Sequence, residues 1–479
     1  MGASSIQHVF VLMLENRAFD HMLGFSKITG QDAVTGQNTS INGLNGTESN
    51  SFAGQTYTVS QPAEPVMPVD PGHEFPDVLH QLCGPSATYS SGGPYPAING
   101  SGFVASYAAS GGSRNPCEIM KCFSADQLPV LNALAQEFAV CDNWQASMPG
   151  PTWPNRMFVH AASSGGLDHS PSVAEIAERE SIDGFQFKNG TIFDALQAKG
   201  IAWRLYGGDE FPMVAALKGI SLDDVRDYDH FANDLAQATF PYSYVFMEPS
   251  YRVLNDYRGS TSQHPLTDVA LGEGLIKATY EAIRNSAFWT SSVLIITWDE
   301  HGGFYDHAIP PAAPAPGDTV PGSKYNQSGF TFQQYGPRVP ALVISPLCPG
   351  NLIDHRLYDH TSILATLESL FGMNPLTRRD ASANRLDSLI RLTTPRDTPE
   401  TMPPPASGVS RAEETVDQGN LPVVLHSALR KNVQGSSPEQ RQAILDRFGS
   451  IKTRKQAQQY LAEVRRKLAA APGRSAHPV

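Results

Sequence analysis

A chain of 479 residues can bury a large core, and one principal domain followed by a tail is the organisation expected. A formal net charge of −12 argues against a nucleic-acid protein, whose phosphate contacts need a basic face. The five cysteines, Cys83, Cys117, Cys122, Cys141 and Cys348, include no C-x-x-C pair of the kind that holds structural zinc.

In chain order, Ile6 to Leu14 is an apolar run of strand length that empties into Glu15-Asn16-Arg17, and Ala18 to Gly24 opens a short helix. No secretory leader fits ahead of that strand, and no apolar run is long enough to span a membrane. A soluble, cytoplasmic protein is therefore expected, or an exported one if a leader has been removed. Buried free thiols follow as the expected cysteine state, with a local Cys117–Cys122 disulfide as the alternative. From Thr29 to about Pro71 the Gly, Asn, Ser and Thr content predicts an irregular excursion. His73 stands just ahead of a helical pattern, where it can reach a site built from other loops. Gln127 to Trp144 reads as an amphipathic helix, with Leu131, Leu134 and Phe138 on one face, leading into a short strand at Phe138–Cys141.

Met148 to Arg156 is a proline-bracketed turn that presents Thr152 just before a helix, where free backbone N–H groups and the helix dipole favour an anion. Helix-then-strand alternation continues through 192–196, 203–206, 244–248, a loop with Gln263-His264-Pro265, a helix at 271–284 and a β-branched strand at 293–298. That alternation predicts an α/β fold, a mainly parallel central sheet with helices on both faces. Asp299 and Glu300 close the last of these strands, and open α/β sheets bind ligands outside the carboxyl ends of strands. Residues 338–346 predict a further strand. Residues 359–368 predict a helix that Asp359 or Thr361 caps, with His360 unassigned.

Beyond Leu392 the character changes. Residues 393–436 read as a linker, proline- and threonine-rich at its start, and 437–479 as a basic helical tail. The tail holds nine Lys or Arg and three Asp or Glu, a net of +6 that leaves −18 on the rest. Ser437-Pro438-Glu439 marks a helix start, and Ala457, Tyr460, Leu461, Val464 and Leu468 fall at helical spacing. Docking of this stripe on the acidic main domain is expected, with peripheral membrane contact as the alternative.

Glu15, Asn16, Thr152, Asp299 and Glu300 offer five oxygen-bearing side chains. Such donors suit one hard divalent cation, calcium, magnesium or manganese ahead of zinc. A cation beside Thr152 would lower its alcohol pKa and make it a nucleophile.

Four motifs, Glu15-Asn16-Arg17-Ala18-Phe19-Asp20-His21, Pro151-Thr152-Trp153-Pro154-Asn155-Arg156, the stretch Asp299 to His307, and Gly336-Pro337-Arg338-Val339-Pro340, occur in order. With them the chain, from residue 6 to about 372, resembles a family of phosphoesterases built on an alkaline-phosphatase-like core. The family includes phosphatidylcholine-type and non-specific phospholipases C and certain bacterial acid phosphatases. The resemblance implies that Glu15, Asn16, Asp299 and Glu300 bind the metal and that Thr152 is both ligand and nucleophile. It further implies that Asn155 hydrogen-bonds the phosphoryl oxygens and that His73 and His264 contact phosphate or serve the leaving group. His301 and His307 fall inside the motif as further catalytic candidates. Thr152, where acid-phosphatase members tend to carry Ser, favours a phospholipase C. Ala18 departs from the Ser usual there.

The reading is a metal-assisted double displacement on a phospholipid or small phosphoester, by way of phosphothreonine, in a catalytic domain spanning 1–392. An acid phosphatase for soluble monoesters is the rival enzyme, and a non-catalytic metal-binding protein the rival of another class. Thr152 cannot supply the formylglycine that a related sulfatase would need.

Overall fold

The computed structural model describes the chain apart from residues 1–4, 113–114, 173–174, 176–182, 210–211, 253–256, 319–323, 408–420, 452–453 and 470–479. Its strands are β1 (His8–Leu14), β2 (Thr29–Asp32), β3 (Asn38–Ser40), β4 (Ser49–Phe52), β5 (Gln55–Thr58), β6 (Ala139–Cys141), β7 (Trp144–Gln145), β8 (Trp203–Gly207), β9 (Val225–Asp227), β10 (Tyr244–Glu248), β11 (Ser292–Trp298), β12 (Ala341–Ile344), β13 (Leu352–Asp354) and β14 (Tyr358–Asp359). Ten of them form one sheet in the order β3-β2-β13-β6-β12-β11-β1-β10-β8-β9. β11, β1, β10, β8 and β9 run parallel, and every residue of β1 and β11 is buried, as expected of strands covered on both faces. Inside the sheet β12 runs antiparallel to both β11 and β6.

The Gly- and Asn-rich excursion is more ordered than its composition predicts. β2 pairs parallel with β13 and antiparallel with β3, extending the main sheet, while β4 and β5 form a separate hairpin. These strands carry almost no apolar residues. What places β2 is backbone contact, since a Cβ on Gly30 would lie 2.3 Å from the Asn351 carbonyl oxygen.

Beyond the sheet, residues 393–407 are not a free linker. They lie along the helix Val269–Arg284, where Tyr280 donates to the Pro399 carbonyl at 2.5 Å and the Met402 N–H donates to Glu281 at 2.8 Å. Within the expected linker, Leu421–Val433 is a helix, fastened by Arg430, which donates to the carbonyls of Ala215 and Leu217.

The tail starts at the predicted place, with Ser437 capping the helix Pro438–Gly449, and continues as the helix Arg454–Ala469. Ala457, Tyr460, Leu461 and Val464 are buried and Leu468 is partly so, packed into the apolar core that includes Leu425, Ala428 and Leu429. The stripe therefore faces protein. No described helix is long and apolar enough to cross a membrane, and all five cysteines are free thiols.

Candidate active site

The register of β1 against β11 pairs Leu14 with Trp298, so Glu15-Asn16 and Asp299-Glu300 leave the sheet side by side at the carboxyl ends of two parallel strands. All four side chains are buried. Asn16 takes a left-handed backbone (φ 57°), which asparagine tolerates, and its N–H donates to Asp299 Oδ1 at 3.0 Å. Gly302 (φ 64°) turns the following loop against it, and a Cβ there would stand 2.1 Å from the Asn16 carbonyl oxygen.

The helix Thr152–Ala161 brings in the third cluster. Pro151 is its N-cap, Thr152 its first residue and Pro154 its third, where a missing N–H removes no intrahelical bond. Thr152 Oγ1 donates to Asn16 Oδ1 at 3.4 Å. One turn on, Arg156 donates through Nε to Asp299 Oδ2 at 2.8 Å and through Nη2 to the Leu14 and Met13 carbonyls at 3.0 and 3.3 Å. Its Nη1 also lies 3.8 Å from Glu248 Oε1, at the end of β10. Three segments more than a hundred residues apart thus converge on one point.

Burial pushes the Asp299 carboxyl up to about 6, with Arg156 opposing and Glu300 adding to the shift, and it pushes Glu248 up to about 7 against the pull of Arg156. The Arg156 guanidinium feels three buried carboxyl groups, Asp299, Glu248 and Glu15. Glu300 Oε2 accepts from the Gly302 N–H at 2.8 Å, whereas its buried Oε1 has no hydrogen-bond partner among the described residues. A buried carboxylate oxygen without a donor is costly unless a cation meets it, and this all-oxygen set fits a hard divalent ion.

A competing cluster has the tighter donor geometry. Among the described residues, one set of three His, Cys, Asp or Glu side chains has ligand atoms all within 4.8 Å of one another: Asp20, Asp306 and His307. The Arg338 guanidinium already occupies it, 3.0 Å from Asp20 Oδ1 and 2.8 Å from Asp306 Oδ1. Arg338 engages both carboxylates here, whereas at the other site Arg156 bonds Asp299 and leaves Glu300 Oε1 without a donor, so this cluster is better explained as an ion-pair lock.

The expected histidines separate into two groups. The His73 and His264 rings meet edge to face, 6.4 Å apart. His73 Nδ1 lies 2.8 Å from the Pro71 carbonyl and must be protonated. Its Nε2 lies 3.5 Å from Asn16 Nδ2. His264 stacks on Tyr257 at 3.8 Å, accepts at Nδ1 from the Leu266 N–H at 3.3 Å, and holds Nε2 3.7 Å from Asp70. His301 sits behind the carboxylates, with Nε2 2.8 Å from Gln81 Oε1 and Nδ1 3.4 Å from Glu300. His307 belongs to the Arg338 lock, its Nδ1 2.6 Å from Asp20, so its place in the motif does not bring it to the site. Burial pulls its pKa down, but the hydrogen bond and charge of Asp20 outweigh that and raise it.

Asn155 Oδ1 accepts from the Met148 N–H at 3.0 Å, and its Nδ2 donates to the Met148, Gly150 and Pro151 carbonyls at 3.3, 3.0 and 3.1 Å. The amide thus braces the turn ahead of Thr152.

Neither Asp359 nor Thr361 caps the helix Thr361–Phe371. Its N-cap is His360, with no side-chain cap bond. Asp359 instead accepts from Ser147 Oγ at 2.8 Å and from Thr361 Oγ1 at 2.5 Å. His360 Nε2 lies 2.6 Å from the Asp299 carbonyl, and Trp144 Nε1 donates to His360 Nδ1 at 3.2 Å. Burial lowers the His360 pKa to about 4, so it is neutral. Arg156, Glu248 and His360 are the site neighbours that sequence reasoning did not assign. For Arg156 a signal existed, its four-residue spacing from Thr152, which places both on one helix face.

A model of the Phosphoesterase family matches residues 6–374. The chain is 35% identical over 422 residues to non-specific phospholipase C3 of Arabidopsis thaliana, covering 84% of this chain and 77% of that protein. It is 37% identical over 424 residues to non-specific phospholipase C6 of the same plant, covering 84% and 75%. Phospholipase C B of Mycobacterium tuberculosis (strain ATCC 25618 / H37Rv) is 29% identical over 432 residues, covering 82% and 79%. Among solved structures, a protein in the alkaline phosphatase superfamily from Vibrio parahaemolyticus aligns at 16% identity with a TM-score of 0.33, covering 68% of this chain and 83% of that one.

Proposed function

Because the chain belongs to the phosphoesterase family, we propose that it is a phospholipase C-type hydrolase of phospholipid phosphodiesters, with Thr152 as the attacking group. The observation that carries the reading is the hydrogen bond from Thr152 at its helix N-terminus to Asn16, among buried carboxylates at the ends of β1 and β11. A solitary surface threonine would have no such surroundings.

Glu15, Asn16, Asp299 and Glu300, with Thr152 Oγ1, would hold one hard divalent cation. When bound, it supplies positive charge to the phosphoryl oxygens and to the ionising threonine. Thr152 Oγ attacks phosphorus in line with the departing lipid alcohol, so that the threonine–phosphorus bond forms as the glycerol oxygen–phosphorus bond breaks. The threonine proton passes to water, and a histidine, His73 or His264, supplies the proton that the departing alkoxide takes up. Water then cleaves the head-group phosphothreonine, giving the phosphorylated head group and free Thr152. Arg156 keeps Asp299 ionised and oriented throughout, and Asn155 holds the turn from which Thr152 acts.

The test is Thr152→Ala assayed on a choline phospholipid and on an aryl phosphate, with acid-quenched wild-type enzyme digested and mapped. The expected result is turnover below about 1% of wild type at an unchanged melting temperature, with phosphate on the Thr152 peptide. Substantial residual activity, or phosphate on a histidine, sinks the nucleophile assignment. Turnover of the aryl phosphate without the lipid turns the reading to a phosphomonoesterase.

A further inference from the structure

Asp359 and His360 are neighbours in sequence, yet their side chains reach the two halves of the site separately. Asp359 Oδ2 accepts from Ser147 Oγ at 2.8 Å, and Ser147 opens the turn that Asn155 fastens ahead of Thr152. His360 Nε2 donates to the Asp299 carbonyl at 2.6 Å, on the loop bearing Asp299 and Glu300. We propose that the Asp359-His360 pair is a positioning clamp that fixes the nucleophile turn relative to the carboxylate loop. This inference rests on the reading of Thr152 and the carboxylates given above.

Three features single the pair out as a clamp rather than general packing. Both residues are almost fully buried, so these hydrogen bonds meet no competition from water. Each is itself held from a further side. Trp144 Nε1 donates to His360 Nδ1 at 3.2 Å, which fixes the ring as the Nε2–H tautomer. Arg379 Nη1 donates to the Ser147 carbonyl at 2.8 Å and lies 3.4 Å from Asp359 Oδ2. Finally, the pair sits where β14 meets the helix Thr361–Phe371, and β14 pairs with β7, so the clamp is anchored in regular structure on both sides.

Neither residue has any reason to touch substrate. Their effect should pass entirely through the relative placement of Thr152 and the Asp299 loop. A misplacement of about 1 Å at a reacting centre costs roughly 100-fold in rate.

The test compares His360→Gln, which keeps a donor near the Nε2 position, with His360→Phe, which removes it, alongside Ser147→Ala and the His360→Phe/Ser147→Ala double variant. Thr152→Ala serves as the reference for the proposed chemistry. Each is measured for kcat and KM on a choline phospholipid, for manganese affinity by equilibrium dialysis and for melting temperature. The clamp predicts that His360→Phe lowers kcat by roughly 10- to 100-fold with KM within about twofold. His360→Gln should recover much of that loss, and the double variant should lose less than the product of the single losses. His360→Phe should also weaken manganese binding. If both single variants keep wild-type kcat while Thr152→Ala is inactive, the clamp is wrong and the nucleophile stands. If His360→Gln is as impaired as His360→Phe, or the losses multiply, the clamp is also overturned. An active Thr152→Ala overturns the underlying reading instead.

Discussion

Arg156 Nε meets Asp299 Oδ2 at 2.8 Å from the helix turn that follows Thr152, so one rigid element both presents the nucleophile and ties down the carboxylate. Its other nitrogens reach the Leu14 and Met13 carbonyls and approach Glu248. Removing the guanidinium would leave two buried carboxyl groups without their cation. Arg156→Met is therefore expected to destabilise the fold by about 3–5 kcal/mol, read from urea denaturation. An unchanged midpoint would show that the pair contributes nothing net.

A cation bound among Glu15, Asn16, Asp299 and Glu300 binds the folded state alone, so it should raise the melting temperature. At a free concentration about 100 times its dissociation constant the gain is about 2.7 kcal/mol. Stripping the protein with a chelator, verified by metal analysis, should abolish turnover and remove that gain. Asp299→Asn should need more metal to regain either. Stripped protein with full activity would refute the metal role.

Glu273 gives a pH signature away from the site. Its carboxylate accepts the Val130 and Leu131 N–H groups at 2.7 and 2.9 Å, and burial pushes its pKa from 4.5 to about 7. Between those values the folded state holds a proton that the unfolded chain has lost, so rising pH destabilises the fold across that window. Below pH 4.5 the difference vanishes, and above 7 the full penalty applies. At about 1.36 kcal/mol per pKa unit the span is about 3 kcal/mol. Glu273→Gln should lose correspondingly less stability than wild type between pH 4.5 and 8 in urea melts. Parallel profiles for the two proteins would contradict the shifted pKa.

Truncation after Leu392 removes the strap along Val269–Arg284 and the helix that seats His426 against Phe185 at 5.5 Å and Trp153 at 6.4 Å. The truncated protein should melt several degrees lower and lose turnover on soluble and lipid substrates alike. It should bind liposomes no more weakly than the full chain. Loss of liposome binding with soluble-substrate turnover intact would restore a membrane role for the tail.

What the sequence made legible followed from period and position. The apolar runs of β1 and β11 announce buried parallel strands, and their adjacency in the sheet bears that out. The tail helix was readable from its stripe. Asp359 was read as a cap because a polar residue at a helix start has the same local signature whether it caps, catalyses or braces a distant loop. β2 was missed because its pairing depends on β13, some 320 residues away, and on backbone contact that leaves no apolar trace. The split between His301, behind Glu300, and His307, in the Arg338 lock, turns on which way a two-glycine loop bends.

The pairing of β1 between β10 and β11 also sets a timetable for synthesis. β1 leaves the ribosome first, but the chain must grow about 280 residues more before β11 exists. At roughly 5–20 residues per second that interval is about 15–60 s, and for most of it, until β10 is made, Val9 to Leu14 has no strand neighbour. A nascent apolar strand held open that long is a natural client for a ribosome-associated chaperone. Recombinant yield should therefore respond to translation speed and chaperone supply more than the buried, well-paired finished sheet would suggest.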